Sequence, residues 1–326
     1  MASSQFRIGL VTSAPEKLRD YYPTRAEPDL VPTEPPFTPD DQLLVEELRR
    51  RGQVVLPIVW GGDMDAIVQT VDALVVRSPW DYMESDDRCR SFLRWIADLD
   101  RAEIPVENHP RVMSWLTDKR YLKDLETVGV PIVPSRVTGT KESVQLLDLY
   151  DDWGPLIVKP CISAAGAGLV FLDSSSAVDA FETEFASRCR RQDHLVQPFV
   201  PEIRTAGEWS LVYLGGTYSH AVHKLPAAGK ILAHAEQGGS VRFAEPPAPV
   251  RALGDTIQPL LAKGFSVRHH AAGIRWPPLY LRLDIIEAAA GPLLSECEGV
   301  EPELFFRARP ESIGIFRAHL EERFGL

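Results

Sequence analysis

Along the first hundred residues, short apolar runs alternate with polar stretches of helical spacing. Residues 6–11, 54–59, 73–76 and 105–107 read as buried strands. Between the first two, Thr38 stands before Pro39, Asp40 and Asp41: a capping threonine, a first-position proline and an acidic first turn. Arg49, Arg50, Arg51 and Gly52 supply the cations and the glycine that close such a helix. Residues 64–70 and 89–99 repeat the helical spacing. Strands separated by helices predict a parallel sheet covered on both faces. Residues 14–39, rich in proline and acids, read as a long surface loop.

Beyond Pro110 the pattern becomes β-rich. A helix is expected over residues 119–128, broken by Gly129, Val130 and Pro131. Strands are expected at 156–159, 168–172, 195–198, 210–213 and 280–286, with helices over 176–188 and 252–263. Pro246, Pro247, Ala248 and Pro249 read as a stiff connector, and no internal repeat is visible.

Composition narrows the class. At 326 residues the chain suits two or three packed units, and 44% hydrophobic with 25% charged residues fits a globular protein. A formal net charge of −11 argues against a broad nucleic-acid or anionic-membrane surface, though a local basic pocket remains compatible. Cys89, Cys161, Cys189 and Cys297 are far apart and signal neither a zinc knuckle nor a disulfide framework. Reduced thiols, the absence of a leader pattern at the start and the lack of a long apolar run together make the cytoplasm the expected location.

Three separated segments carry chemistry. Asp118-Lys119 opens the expected helix. Lys159 ends an apolar strand and is followed by Ser163-Ala164-Ala165-Gly166-Ala167-Gly168. Small residues let backbone N–H groups approach phosphate oxygens, and the lysine adds charge. Alone, this segment equally fits a turn with an ordinary surface lysine. In the third segment, Leu281-Arg282-Leu283-Asp284 and Ser295-Glu296-Cys297-Glu298 alternate as two strands of a hairpin-like pair. Arg282 shares a face with Asp284, and Glu296 with Glu298. Converging carboxylates repel, and a bound oxygen-preferring cation such as magnesium resolves that repulsion. Acids paired with Arg282 or Lys224 on a solvated sheet face are the alternative.

The order of these segments resembles the ATP-grasp superfamily, over residues 115–306. Within it the chain is similar to glutathione-synthetase-like carboxylate-amine ligases, and to relatives of the ATP-grasp enzyme of cycloserine biosynthesis. The closer match rests on R-S-P-W-D-Y from Arg77, D-K-R-Y-L from Asp118 and L-V-Q-P-F from Leu195. S-H-A-V-H-K from Ser219 and E-P-E-L-F-F from Glu301 complete it. The resemblance implies an α/β (α+β) ATP-grasp fold. Residues 1–112 would form a parallel α/β substrate-side domain preceding the ATP-grasp part. Residues 113–195 would form a subdomain with a lid loop, and residues 196–326 a C-terminal subdomain with a magnesium site.

It further implies that ATP and Mg2+ bind here. Lys119 and Lys159 would contact phosphates, under a lid running from Ser163 through Gly166 to Gly168. Gln197, Phe199 and Val200 would hold the adenine edge, with Glu202 near the ribose. Asp284, Glu296 and Glu298 would hold magnesium, and Arg282 and Lys159 would act in catalysis. Many members carry asparagine where Glu298 stands, and the extra charge leaves the number of magnesium ions open. The implied reaction is ATP-dependent C–N ligation through an acyl phosphate, between molecules or as a ring closure. A hydroxyl-phosphorylating kinase and a non-catalytic nucleotide-binding scaffold are the alternatives. The expected partners are a small carboxylate and an amine, with no nucleic acid or membrane; a homodimer stays open.

Arg77, Ser78, Trp80 and Asp81 follow the third expected strand, where ligands of parallel sheets sit. They are candidate contacts for an amino-acid-like substrate, against the alternative of a packed strand-to-loop corner. Glu208, His220 and Lys224 are further substrate candidates. The tract at residues 230–239 reads as a second lid or an unstructured stretch.

Overall fold

Four parallel strands open the fold of the computed structural model, which describes residues 5–21, 37–139, 144–164, 166–231 and 238–326. In chain order these first elements are β1 (Arg7–Thr12), α1 (Pro15–Tyr21), α2 (Pro39–Arg50), β2 (Val54–Val59) and α3 (Met64–Thr70). They continue with β3 (Ala73–Ser78), α4 (Asp86–Arg101) and β4 (Val106–Glu107). The sheet order is β2-β1-β3-β4, every pair parallel. Thr38 caps α2 by accepting the Asp41 N–H at 3.0 Å, and Ser85 caps α4 at Arg88 N. α1 stands inside the stretch expected to be loop; residues 22–36 of that stretch lie outside the described residues.

α6 (Tyr121–Thr127) is the helix expected over 119–128, and a further short helix, α5 (Pro110–Thr117), precedes it. Lys119 lies in the corner between them, its N–H donating to Cys161 O at 2.7 Å. The middle of the chain forms a second sheet from β5 (Arg136–Thr138), β6 (Leu156–Pro160), β7 (Val170–Leu172) and β8 (His194–Pro198). Its order is β5-β8-β6-β7, antiparallel throughout. α7 (Leu146–Trp153) and α8 (Ser175–Cys189) pack on it through a core that includes Leu146, Val158, Phe181 and Phe185.

The third sheet, order β11-β10-β9-β12-β13, is also antiparallel. Its strands are β9 (Glu208–Leu214), β10 (Thr217–Leu225), β11 (Ser240–Phe243), β12 (Tyr280–Ala288) and β13 (Gly291–Glu298). α9 (Ala248–Ser266) covers it, and α10 (Ser312–Phe324) ends the chain against α2. The expected Pro246–Pro249 connector is thus partly helix, since prolines are tolerated in a first turn. One hydrophobic core joins Val11, Trp60 and Phe92 of the first unit to Leu283 and Leu294 of the third. A second joins Leu10 and Val75 to Tyr280 and Phe316. The first and third units therefore share their interior, whereas the middle sheet keeps a core of its own.

Candidate functional site

The β12–β13 hairpin sets the acids of the site. Its register pairs Arg282 with Glu298 and Asp284 with Glu296, so all four side chains share a face. Asp284, Glu296 and Glu298 each offer a carboxylate oxygen, and the three atoms lie within 4.8 Å of one another. Arg282 bridges them, donating to Asp284 at 3.0 and 2.9 Å and also to Glu298. Neighbouring strands add Ser210 Oγ, 2.5 Å from Asp284 Oδ1, and Lys224 Nζ, 3.3 Å from Asp284 Oδ2 and 3.7 Å from Glu208. Burial would push Asp284 up, but Arg282 and Lys224 outweigh it and hold its carboxyl below the ordinary range. Burial wins at Glu298, pushed up to about 8 against the pull of Arg282. Three hard oxygen donors converging in this way fit a magnesium-like cation.

The facing wall comes from the middle sheet and the α5–α6 corner. Lys119 Nζ reaches Glu296 at 3.1 Å and donates to the Ser163 carbonyl, tying the small-residue loop to the acidic strand. Gly166 and Gly168 both adopt positive φ. A Cβ at Gly168 would stand 2.8 Å from Pro160 Cγ, so glycine is required there. Ala165 of this loop lies outside the described residues. Lys159 lines the same cleft, of about 450 Å³, as do Gln197, Phe199, Val200, Glu208 and Lys224. Burial depresses the Lys159 ammonium, partly offset by Glu296. Among the described residues it is the one cleft-lining cation without an ion pair: Lys119, Lys224 and Arg282 each have a carboxylate. Against burial, Lys119 and Lys159 together hold Glu296 below its usual value. Gln197 donates to Ser135 Oγ at 2.8 Å, and the Phe199 N–H is taken by Pro155 O at 2.7 Å. Glu202, expected near a ribose, instead accepts the Ala289 N–H at 2.8 Å in the turn after β12 and does not line the cleft. Of the expected second lid at 230–239, residues 232–237 lie outside the described residues; Ile231 lines the cleft.

Several expected substrate contacts prove to hold backbone. After β13 the chain runs as a strap whose successive carbonyls, from Gly299 to Leu304, each accept a bond from a different side chain. Asn108 Nδ2 bonds Gly299 O at 2.8 Å, and Tyr280 Oη bonds Val300 O at 3.0 Å. Trp80 Nε1 takes Glu301 O at 2.9 Å, and Arg77 takes Pro302 O at 3.0 Å. Arg282 reaches Glu303 O at 3.4 Å, and His220 Nε2 lies 2.8 Å from Leu304 O. Arg77 is 2% exposed, paired with Asp41 at 3.0 Å and stacked over Tyr280, so its charge is engaged inside the protein rather than in the cleft. Ser78 is buried against Thr12, and Asp81 is buried against Trp60 and Arg88. His220 is wholly buried. Arg77, Ser78 and Asp81 thus sit in a packed strand-to-loop corner, with Arg77 paired to Asp41 rather than Asp81. Trp80 alone of that group lines the cleft. Tyr82, Glu301, Asn108 and Ser295 were missed as individual site residues. The first two stand inside the motifs singled out, but their meeting spans 219 positions, and Tyr82 Oη donates to Glu301 at 2.6 Å.

Comparison with known proteins agrees with this geometry. Residues 19–108 match the family model for the N-terminal domain of D-cycloserine synthetase DcsG. Residues 125–267 match that for the ATP-grasp domain of prokaryotic glutathione synthetase. The cycloserine biosynthesis protein DcsG of Streptomyces lavendulae is 27% identical over 263 residues, covering 77% of this chain and 83% of that protein. The crystal structure of D-cycloserine synthetase DcsG superposes with a TM-score of 0.75 at 21% identity, covering 98% of this chain and 99% of the other. D-alanine–D-alanine ligase from Bacillus anthracis shares the fold at a TM-score of 0.66 and 14% identity, over 98% of this chain and 96% of that one. Fold, cleft and both matched segments converge: the chain has an ATP-grasp fold and is similar to DcsG and to prokaryotic glutathione synthetase.

Proposed function

We propose that the protein is an ATP-dependent carboxylate-amine ligase. It would activate a small amino-acid-like carboxylate as an acyl phosphate, pass it to an amine, and release ADP and phosphate. The observation that carries this reading is the 3.1 Å contact between Lys119 and Glu296. It brings the cation-bearing wall and the acid-bearing hairpin together across one cleft.

The roles follow from what each residue already does. Lys159, unpaired and half-buried, is suited to a phosphate, because an anion would relieve its desolvation. Lys119, Ser163, Ala164, Gly166 and Ala167 line the same cleft. Gln197, Phe199 and Val200 form the half-apolar end of the cleft that suits an adenine. Asp284, Glu296 and Glu298 would hold magnesium, which when bound neutralises charge on the phosphate oxygens. Arg282 would then steady the transferring phosphoryl group. Lys224 and Glu208 would keep the acids and the acceptor in place. A carboxylate lacks a leaving group, and its phosphorylation depends on positioning and charge neutralisation, which this residue set supplies. The lid loop would exclude water from the activated acyl group.

Incubation with ATP, magnesium, hydroxylamine and a panel of amino acids tests the reading. The expected products are ADP, phosphate and a hydroxamate. AMP with pyrophosphate, or ADP with a stable phosphate ester and no hydroxamate, would overturn it.

A further inference from the structure

Each acid lining the cleft forms an ion pair, among the described residues, except one. Glu84 pairs with Lys17, Glu208 and Asp284 with Lys224, Glu296 with Lys119, Glu298 with Arg282 and Glu303 with Arg307. Among the described residues Glu301 has no ion pair; its single side-chain partner is the Tyr82 hydroxyl at 2.6 Å. The fold holds it there firmly. Its own carbonyl is bonded by Trp80, and the carbonyls before and after it by Tyr280 and Arg77. Tyr82 in turn is stacked on Phe92, with ring centroids 4.3 Å apart. A half-buried carboxylate without a direct ion pair is less favourable than one with it. One that six consecutive side-chain bonds keep from turning away is built to receive charge from outside.

We propose that Glu301, backed by Tyr82 and flanked by Trp80, is the specificity-determining residue that receives a cationic amine of the substrate. The aromatic walls suit an ammonium group, whose charge is attracted to ring faces. A hydrated metal ion suits them less, and three other carboxylates already converge for a metal. Burial pushes the Glu301 carboxyl up, countered by the Tyr82 bond and by the more distant charges of Lys119 and Arg282, and an ammonium would further favour its charged form. The assignment rests on the ligase reading for its substrate, but not for its binding chemistry.

The test is a calorimetric titration of the full chain, loaded with magnesium and a non-hydrolysable ATP analogue. The probes are alanine and serine of either hand, beside propionate and 3-hydroxypropionate, which lack the amine. Wild type should bind an amino acid about ten- to a hundredfold more tightly than its des-amino counterpart. Glu301→Gln should abolish that preference while nucleotide affinity and Tm are kept. Should that variant fail to fold, Tyr82→Phe should cut the preference about two- to tenfold. A preference that survives in the folded variant, or is missing from wild type, overturns the proposal. Hydroxamate formation in parallel reports the ligase reading separately. A binding preference without hydroxamate sinks that reading and leaves Glu301 assigned; hydroxamate without the preference does the reverse.

Discussion

Polar residues at the end of a parallel strand serve two masters: a ligand in the cleft, or a backbone carbonyl that must not be left bare. Arg77 belongs to the second class. Its Nε meets Asp41 at 3.0 Å and its Nη2 meets Pro302 O at 3.0 Å, both fully inside the protein. Arg77→Ala would leave Asp41 as an uncompensated buried charge and is expected to cost about 3–5 kcal/mol, read as a lowered midpoint in denaturant unfolding. A midpoint within error of wild type would show that the pair carries no such weight. The sequence cannot separate the two classes here, because the carbonyl that Arg77 binds lies 225 positions away. It does better where periodicity is local. Two-residue alternation alone puts Arg282 with Asp284 and Glu296 with Glu298 on common faces, and the β12–β13 register brings those faces together. Glu301 shows the limit. It stands in plain view within a motif, but its lack of an ion pair is a property of the folded neighbourhood.

Among the elements, α2, α7 and α10 show what a start signal adds. α2 shows its capping threonine, first-turn proline and acids openly. α7 and α10 are preceded by Gln145 and Glu311, neither of which caps through its side chain, so no capping residue marks their starts. β11 is exposed at all four positions and offers no alternation to detect. α2 also carries a titration. Asp40 is buried in its first turn, and burial, then the charges of Glu303 and Asp41, push its carboxyl up to about 7 against the pull of Arg307. Its folded value thus exceeds the unfolded one, and over the interval between them the folded state binds the extra proton. Stability contributed by this group is therefore greatest near pH 4, falls as pH rises to about 7, and is level above. Asp40→Asn should remove that fall. Tm measured at pH 5 and pH 8 in both proteins should drop less between the two in the variant, and an equal drop would contradict the assignment.

For the whole molecule, the two shared cores weld the first and third units, whereas the middle sheet is packed on itself. The welding side chains include Asn108, which bonds backbone of Leu279, Tyr280 and Gly299. The middle unit touches the rest through Leu195 and Cys161 at the edge of the shared core and through polar links such as Lys119 to Ser163 and Arg120 to Asp193 at 2.8 Å. Hydrogen exchange should therefore show residues 136–198 opening separately from the shared cores, at lower cost. A magnesium–nucleotide complex should slow exchange around 160–169. Simultaneous loss of protection in all three units would contradict this division.

The central claim is that Lys159 and Glu296, on facing walls of one cleft, jointly hold a magnesium-bound nucleotide. Calorimetric titration with a non-hydrolysable ATP analogue, with and without magnesium, tests it most directly. The account predicts magnesium-dependent binding that weakens about tenfold or more in both Lys159→Ala and Glu296→Gln. Binding that ignores magnesium, or that both variants retain at wild-type strength, would contradict it.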